Sequence, residues 1–477
     1  MRESFYDRLV EALIWFALLF GPWAFGTTEN WSIQLMTAVG WGLGLLWMGR
    51  LVVRRWASRR SATVAKKNPA SRGRKLPERL FRQTLLVLTA LILGYCLLSA
   101  ANARAVHHLW SLEYRDCFLW LPHSYDRDRS WAVWGSGLSL AGFFWCGRDW
   151  LLRQGGERSR LPARLRRLLW ILTANGGLLA VVSLVQHFSG ENKLLWLVEP
   201  AINKTAATQF GPFAYHANGA QYFNLLWPVG LAFWVYLKRR PVPSPDGWWG
   251  RWRLKVLLVC VLLMALCPLV SLSRGGALIA LLNGGVAAGL VWLSFRRRLP
   301  GFGWRVALVA GGILLIGGLA EGAHLLARFQ AQDYSDQGRF DLYATGWQMA
   351  LDNQPFGCGP GAYDTLVQLY VPDFQASWVV QLHNDWLEIV LTLGVVGLLL
   401  LLSPLLLIAG RHRFAGGIRL NWPVVGLFWV AVVGCLLHAL VDFPFRVHSI
   451  LLLFVFICCV LSTVSGRATH PRKSHAP

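Results

Sequence analysis

The densest run of chemistry-capable residues is His383-Asn384-Asp385-Trp386-Leu387-Glu388, followed by Gly394 and Gly397. It stands where a long mixed stretch gives way to an apolar run. An imidazole at such a boundary takes or holds a proton near neutral pH, so His383 can orient an incoming hydroxyl or act as its base. Asp385 and Glu388 are further candidate bases, and Asn384 and Glu388 are candidates for lining a pocket. Gly394 and Gly397 would let a neighbouring helix approach closely. Ser271-Leu272-Ser273-Arg274-Gly275-Gly276 sets one arginine between two long apolar runs. A lone guanidinium there is costly unless it faces a cavity or a partner, and its fork matches phosphate oxygens. Arg339 in Gln337-Gly338-Arg339-Phe340 and Arg446 in Asp442-Phe443-Pro444-Phe445-Arg446 are two more arginines expected to converge with Arg274 on a pyrophosphate. Gly211-Pro212-Phe213-Ala214-Tyr215-His216-Ala217-Asn218 brings His216 and Asn218 beside aromatic rings, a mixture that suits sugars. Plainer roles stay open for each. His383 can cap a helix, the arginines can reach lipid headgroups or solvent, and the aromatics can form an interfacial belt.

Positioning these residues falls to membrane-spanning helices. The chain has 477 residues, 55% hydrophobic and 15% charged, with a mean hydropathy of +0.42. Apolar runs near twenty residues recur from end to end, each long enough to cross a ~30 Å hydrocarbon core as a helix. The runs are continuous rather than alternating, which excludes a transmembrane barrel. About twelve spans are expected on this length criterion: near 8–27, 31–53, 83–100, 131–152, 168–188, 219–237, 255–272, 276–294, 306–321, 387–409, 423–440 and 449–465.

The net charge of +23 follows the same topology. With a cytoplasmic N-terminus, most lysines and arginines fall in inner stretches and most acids in outer ones. That asymmetry predicts cytoplasmic N- and C-termini and argues against nucleic acid as a partner. Residues 54–82 form a basic cytoplasmic loop that would lie near anionic lipid, and 466–477 a cytoplasmic tail. No cleavable signal peptide is expected, because the first apolar run is long and a second follows closely. Of the nine cysteines, only Cys117 and Cys358 fall outside the expected spans, where a disulfide between them is conceivable on the sequence alone.

The longest outer segment is the loop 322–386, which is expected to contain short helices. Tyr343, Trp347, Ala350 and Leu351 make one apolar stripe, predicting an amphipathic helix lying along the lipid surface. Pro355 and Gly357-Cys358-Gly359-Pro360-Gly361 break it, and a second helical piece is expected over 363–370. His107, His108 and His123, with Glu113 and Asp116, match no metal-ligand spacing and read as a solvated loop. There is no glycine-rich nucleotide-phosphate loop.

In their order, these motifs resemble the O-antigen ligases and their relatives among surface-polysaccharide polymerases. The resemblance rests on Gly211–Asn218, Ser273-Arg274-Gly275-Gly276, Gly338-Arg339 through Trp347, and Pro355-Phe356-Gly357-Cys358-Gly359-Pro360-Gly361. It continues through His383-Asn384 with Gly394 and Gly397 to Asp442-Phe443-Pro444. It implies an all-α, GT-C-like transferase of the bacterial inner membrane. The first helices would lie in 1–210 and the ligase-like region in 211–465. The donor would be a glycan on undecaprenyl pyrophosphate, and the acceptor a sugar hydroxyl on lipid A-core or on a growing polysaccharide. No metal and no other cofactor is implied. By position, His383 would activate or orient the acceptor hydroxyl, while Arg274 and Arg339 would hold the pyrophosphate as charge develops. His216 and Asn218 would line the pocket. A transporter would need ionisable residues at mid-span, and the expected spans carry few beyond Glu11. A non-catalytic scaffold is the remaining alternative, and it would tolerate loss of His383 and Arg274.

Overall fold

The computed structural model describes residues 5–61, 76–108, 111–153, 161–239, 247–296, 302–330, 334–371, 381–413 and 418–466. Residues 62–75 of the basic loop 54–82 and all but the first residue of the tail 466–477 lie outside the described residues. Hydrocarbon leaves no water for backbone groups, so the apolar runs close their hydrogen bonds internally as helices. In chain order these are α1 (Phe5–Phe20), α2 (Asn30–Ser61), α3 (Leu76–Ala101), α4 (Arg127–Leu152), α5 (Ala163–Ser189), α6 (His216–Lys238) and α7 (Gly247–Val270). There follow α8 (Arg274–Phe295), α9 (Phe302–Gln330), α10 (Tyr334–Asp352), α11 (Tyr363–Leu366), α12 (Asp385–Ala409), α13 (Trp422–His438) and α14 (His448–Thr463). Each stretch expected to span lies mostly within one helix, although α1 stops at Phe20, short of 27, and α14 gives way to a strand at Val464. Six of these helices are long and apolar enough to cross a membrane (α2, α3, α5, α7, α8 and α12), and α13 and α14 are shorter apolar helices.

The architecture is α-helical with two short strand pairs that the sequence pattern did not announce. β1 (Ala105–His108) and β2 (Ser111–Tyr114) form an antiparallel hairpin between α3 and α4, where an irregular loop is expected. β3 (Ile418–Leu420) lies parallel to β4 (Val464–Gly466). The long loop expected from 322 starts later, because α9 runs on to Gln330.

α6 is the central helix. It is buried without interruption from His216 to Gly230 and packs against α5, α7, α8, α13 and α14. The main core is continuous from Val10 to Val464 and draws on both sides of residue 210. A second, smaller core under α10 and α11 contains Met349, Cys358, Tyr363 and Leu382. The apolar stripe expected on α10 is divided between the protein and the outside. Met349 and Ala350 are buried, whereas Trp347 and Leu351 are more than half exposed. Packing against α12 rotates the helix so that the protein takes its 342–343 and 349–350 side and leaves Phe340, Trp347 and Leu351 outward.

One network of paired charges lies at the end of the bundle opposite His383. Asp7 pairs with Arg50, Arg153 and Arg164; Glu11 with Arg167; and Asp149 with Arg54 and Arg153. Glu78 bridges Arg148 and Arg411, both almost fully buried, and each guanidinium also lies over the Phe81 ring. A buried guanidinium needs a carboxylate within reach, which ties α1, α2, α4 and α5 at this end.

The most consequential local feature is a break in α12. Gly394 adopts φ +64 and ψ −177, so the helix is interrupted after Leu393. The segment 354–359 enters this gap as a strap. The Cys358 and Gly359 amides donate to the Leu391 and Thr392 carbonyls at 2.9 Å each. On the other side of the break, the Val395 amide donates to Gln354 Oε1 (2.9 Å) and the Val396 amide to the Pro355 carbonyl (3.4 Å). A Cβ on Gly394 would fall 2.0 Å from the Pro355 oxygen, and one on Gly357 would fall 2.4 Å from the Thr392 carbonyl carbon. The glycines that were expected to admit a neighbouring helix therefore admit a backbone strap at Gly394.

Candidate functional site

Four elements meet at the end of the bundle that carries His383: the starts of α6, α8 and α12 and the turn between α13 and α14. Each start is set locally. Ser273 caps α8, its hydroxyl accepting from the Gly276 amide at 3.0 Å. Asn384 caps α12, its side-chain oxygen accepting from the Leu387 amide at 3.0 Å. That is the typical N-cap arrangement, and it gives Asn384 a structural role in addition to the pocket-lining one expected of it.

His383 precedes this cap with φ +55, a left-handed conformation that is strained for a side chain with a Cβ. Its backbone carbonyl accepts from the Tyr343 hydroxyl at 2.8 Å, which fastens it to α10. The imidazole is three-quarters buried. Its Nδ1 lies 3.6 Å from Asp442 Oδ1, an ion-pair distance slightly longer than a hydrogen bond. Its ring meets Phe443 edge-on at 4.9 Å and Tyr215 at 6.2 Å, and Tyr215 and Phe443 stack with ring planes 10° apart. The Tyr215 hydroxyl accepts from Arg339 Nη2 at 3.2 Å, which brings the α10 arginine to the same aromatic group.

Asp442 is buried, and burial pushes its carboxyl up. His383, His438 and Arg339 together outweigh this and hold it below the usual carboxylate range. It is therefore an anion facing the imidazole. Asp442 was quoted in the sequence only as part of a motif, without a role. It lies 59 residues beyond His383, and no spacing rule links the two.

His216 and Arg274 join through a short turn. His216 Nδ1 lies 2.8 Å from the Ser271 carbonyl, just ahead of the cap that starts α8 at Arg274. Leu272 within the turn has φ +60. Asn224 donates to the Gly276 carbonyl at 2.8 Å, and His438 pairs with Gln221 at 2.7 Å. The ends of α6, α8 and α13 nearest His383 are thus locked together beneath Tyr215. Asn218 is buried in the first turn of α6.

Arg446 and Glu388 form an ion pair with each other. Burial works against the Arg446 charge, but Glu388 beside it holds the guanidinium firmly protonated. Two residues expected in separate roles, donor binding for Arg446 and pocket lining for Glu388, are thus held as one unit behind His383. Asp385 has a similar role. Its carboxylate accepts from the Phe445 amide at 2.8 Å and its own amide donates to the Ala439 carbonyl at 2.9 Å, so α12 is fixed to the 439–446 turn.

Cys117 and Cys358 are both free thiols, and burial raises Cys358 well above its ordinary range. In the hairpin His108 meets Glu113 at 3.1 Å, and both are exposed. Among the described residues, no group of three or more His, Cys, Asp or Glu is arranged to hold a metal ion.

Residues 259–402 match the Wzy_C family model, described as O-antigen ligase. The match includes Arg274, Arg339 and His383 and leaves Tyr215, His216, Asp442 and Arg446 outside it. No curated protein and no solved structure matches the chain.

Proposed function

We propose that this membrane protein, whose residues 259–402 match a family of glycan-transferring O-antigen ligases, moves a glycan from undecaprenyl pyrophosphate to a sugar hydroxyl. The observation that carries the reading is the pairing of His383 with the buried Asp442 anion, beside Arg339 and Tyr215. In this proposal the apolar helices span the bacterial inner membrane about twelve times, on the helix length a hydrocarbon core requires. Both termini are cytoplasmic and the His383 end faces the periplasm.

An anion at Nδ1 keeps the ring hydrogen on that nitrogen and leaves Nε2 as the acceptor. The acceptor hydroxyl would bond to the anomeric carbon as its proton passes to Nε2. The bond from that carbon to the pyrophosphate oxygen breaks, and the electron pair leaves with the lipid pyrophosphate. Asp442 stabilises the imidazolium formed. Arg274 and Arg339 stabilise the charge on the departing pyrophosphate, where preorganised cations act most strongly. Tyr215, His216 and Asn218 line the sugar side with Asn384, and Arg446 with Glu388 holds the 442–446 turn against α12. No metal or other cofactor enters this scheme.

The test is reconstitution of the full chain with a lipid-pyrophosphate glycan and candidate acceptors, comparing wild type with His383→Ala. The expected result is transfer to lipid A-core by wild type, lost in the variant. Lengthening of the glycan on its own lipid would instead identify a polymerase of the same family. Equal product from His383→Ala would overturn the assignment of the base.

A further inference from the structure

The break in α12 leaves one carbonyl that the strap does not reach. In a continuous helix the Leu393 oxygen would accept from the amide four residues on, and Gly394 removes that geometry. Its partner is a side chain from a distant part of the chain. The hydroxyl of Tyr95, near the outer end of α3, lies 2.7 Å from the Leu393 carbonyl oxygen and 2.8 Å from the Phe356 carbonyl oxygen. Its single hydrogen is shared between the broken helix and the strap that fills the break. Tyr95 is itself buried, and it lies outside the region that matches the ligase family. A carbonyl left without a partner away from water is costly, so this bond is a structural requirement of the gap.

The two halves of α12 have different tasks. The half after the break is an apolar segment. The half before it, Asp385–Leu393, directly follows His383 and carries Asp385 and Glu388. Its first turn is tied to the 439–446 turn by Asp385 and Glu388. Its last turn is held across the break by the strap amides, the Gln354 side chain and Tyr95, with Leu391 packed into the second core. We propose that Tyr95 is a positioning residue for the site: its hydroxyl sets the angle between the two halves of α12 and so places His383.

Eight residues of helix make a lever of about 12 Å, so a swing of roughly 5° at Leu393 displaces His383 by about 1 Å. A misplacement of that size at a reacting group lowers turnover by up to about a hundredfold, and the ties at Asp385 and Glu388 reduce this to about tenfold. The activity arm of the test rests on the function proposed above; the second arm does not.

Tyr95→Phe keeps the ring and removes only the hydroxyl. In nanodiscs, hydrogen exchange is to be compared between wild type and Tyr95→Phe over residues 381–396 and over 397–409. Transfer kinetics are to be measured on the same samples. The expected result is faster exchange confined to 381–396, kcat lower by about tenfold, and donor KM within about twofold of wild type. Unchanged exchange in 381–396 would overturn the proposal, as would a rise spread evenly along the chain, which marks a merely structural role. Loosened exchange with unchanged kcat would also overturn it. If wild type transfers no glycan, the functional reading fails and the exchange comparison alone decides the placement of the half-helix.

Discussion

Replacing Asp442 with Asn tests the charge opposite the imidazole while leaving the local fold in place. The Asn side-chain oxygen can still accept from the Phe443 amide, as Asp442 Oδ1 does at 3.0 Å, and the shape hardly changes. What disappears is a unit negative charge 3.6 Å from His383 Nδ1. Two unit charges at that separation attract by about 4–5 kcal/mol at an effective dielectric of about 20. The imidazole is 25% exposed, and Asp442 also faces Arg339 and His438, so about half of this reaches the imidazolium formed during transfer. A loss of about 2 kcal/mol corresponds to a roughly 30-fold lower kcat. The assay is the initial rate of glycan transfer in proteoliposomes at saturating donor, with folded protein quantified by size exclusion. Combining Asp442→Asn with His383→Ala should cost no more than His383→Ala alone, because the carboxylate acts through that ring. A single variant with a rate within threefold of wild type would refute the reasoning, as would fully additive losses.

Three further outcomes follow from the packing. Glu78→Gln leaves Arg148 and Arg411 buried without their shared carboxylate and should destabilise the protein by about 3 kcal/mol, at the low end for a broken buried pair because Glu78 is 28% exposed; an unchanged midpoint of denaturant unfolding in detergent would count against it. Gly394→Ala forces a Cβ against the Pro355 carbonyl at φ +64, so the strap is displaced and transfer should fall to background, with faster proteolysis in 353–361; a fully active variant would show that the strap can yield. Because the Asp442 carboxyl is depressed in the folded chain, its stabilising contribution is present above the ordinary carboxylate value of about 4 and is lost as pH falls through its lower folded value. Acid unfolding should therefore be less steep in Asp442→Asn than in wild type, and identical acid profiles would contradict this.

Much of the fold was legible because its cause is local. An apolar run of sufficient length must close its own backbone hydrogen bonds in lipid, so helix positions follow from hydropathy along the chain. His383 and Arg274 stood out for a similar reason, since ionisable groups at the ends of apolar runs are costly without a use, whereas Arg339 stood out by its place in the motif order. The sequence by itself thus determined the helical class and the places of most helices, and it pointed to the residues proposed for the site. Only the tertiary structure decided which partners meet. It set Asp442 opposite His383, joined Arg446 to Glu388, took Ala350 of the α10 stripe into the second core, and hung the broken α12 from Tyr95 and the strap. These pairings join residues dozens to hundreds of positions apart. They depend on how helices pack and rotate against one another, which the short-range periodicity of helix and hydrocarbon does not encode.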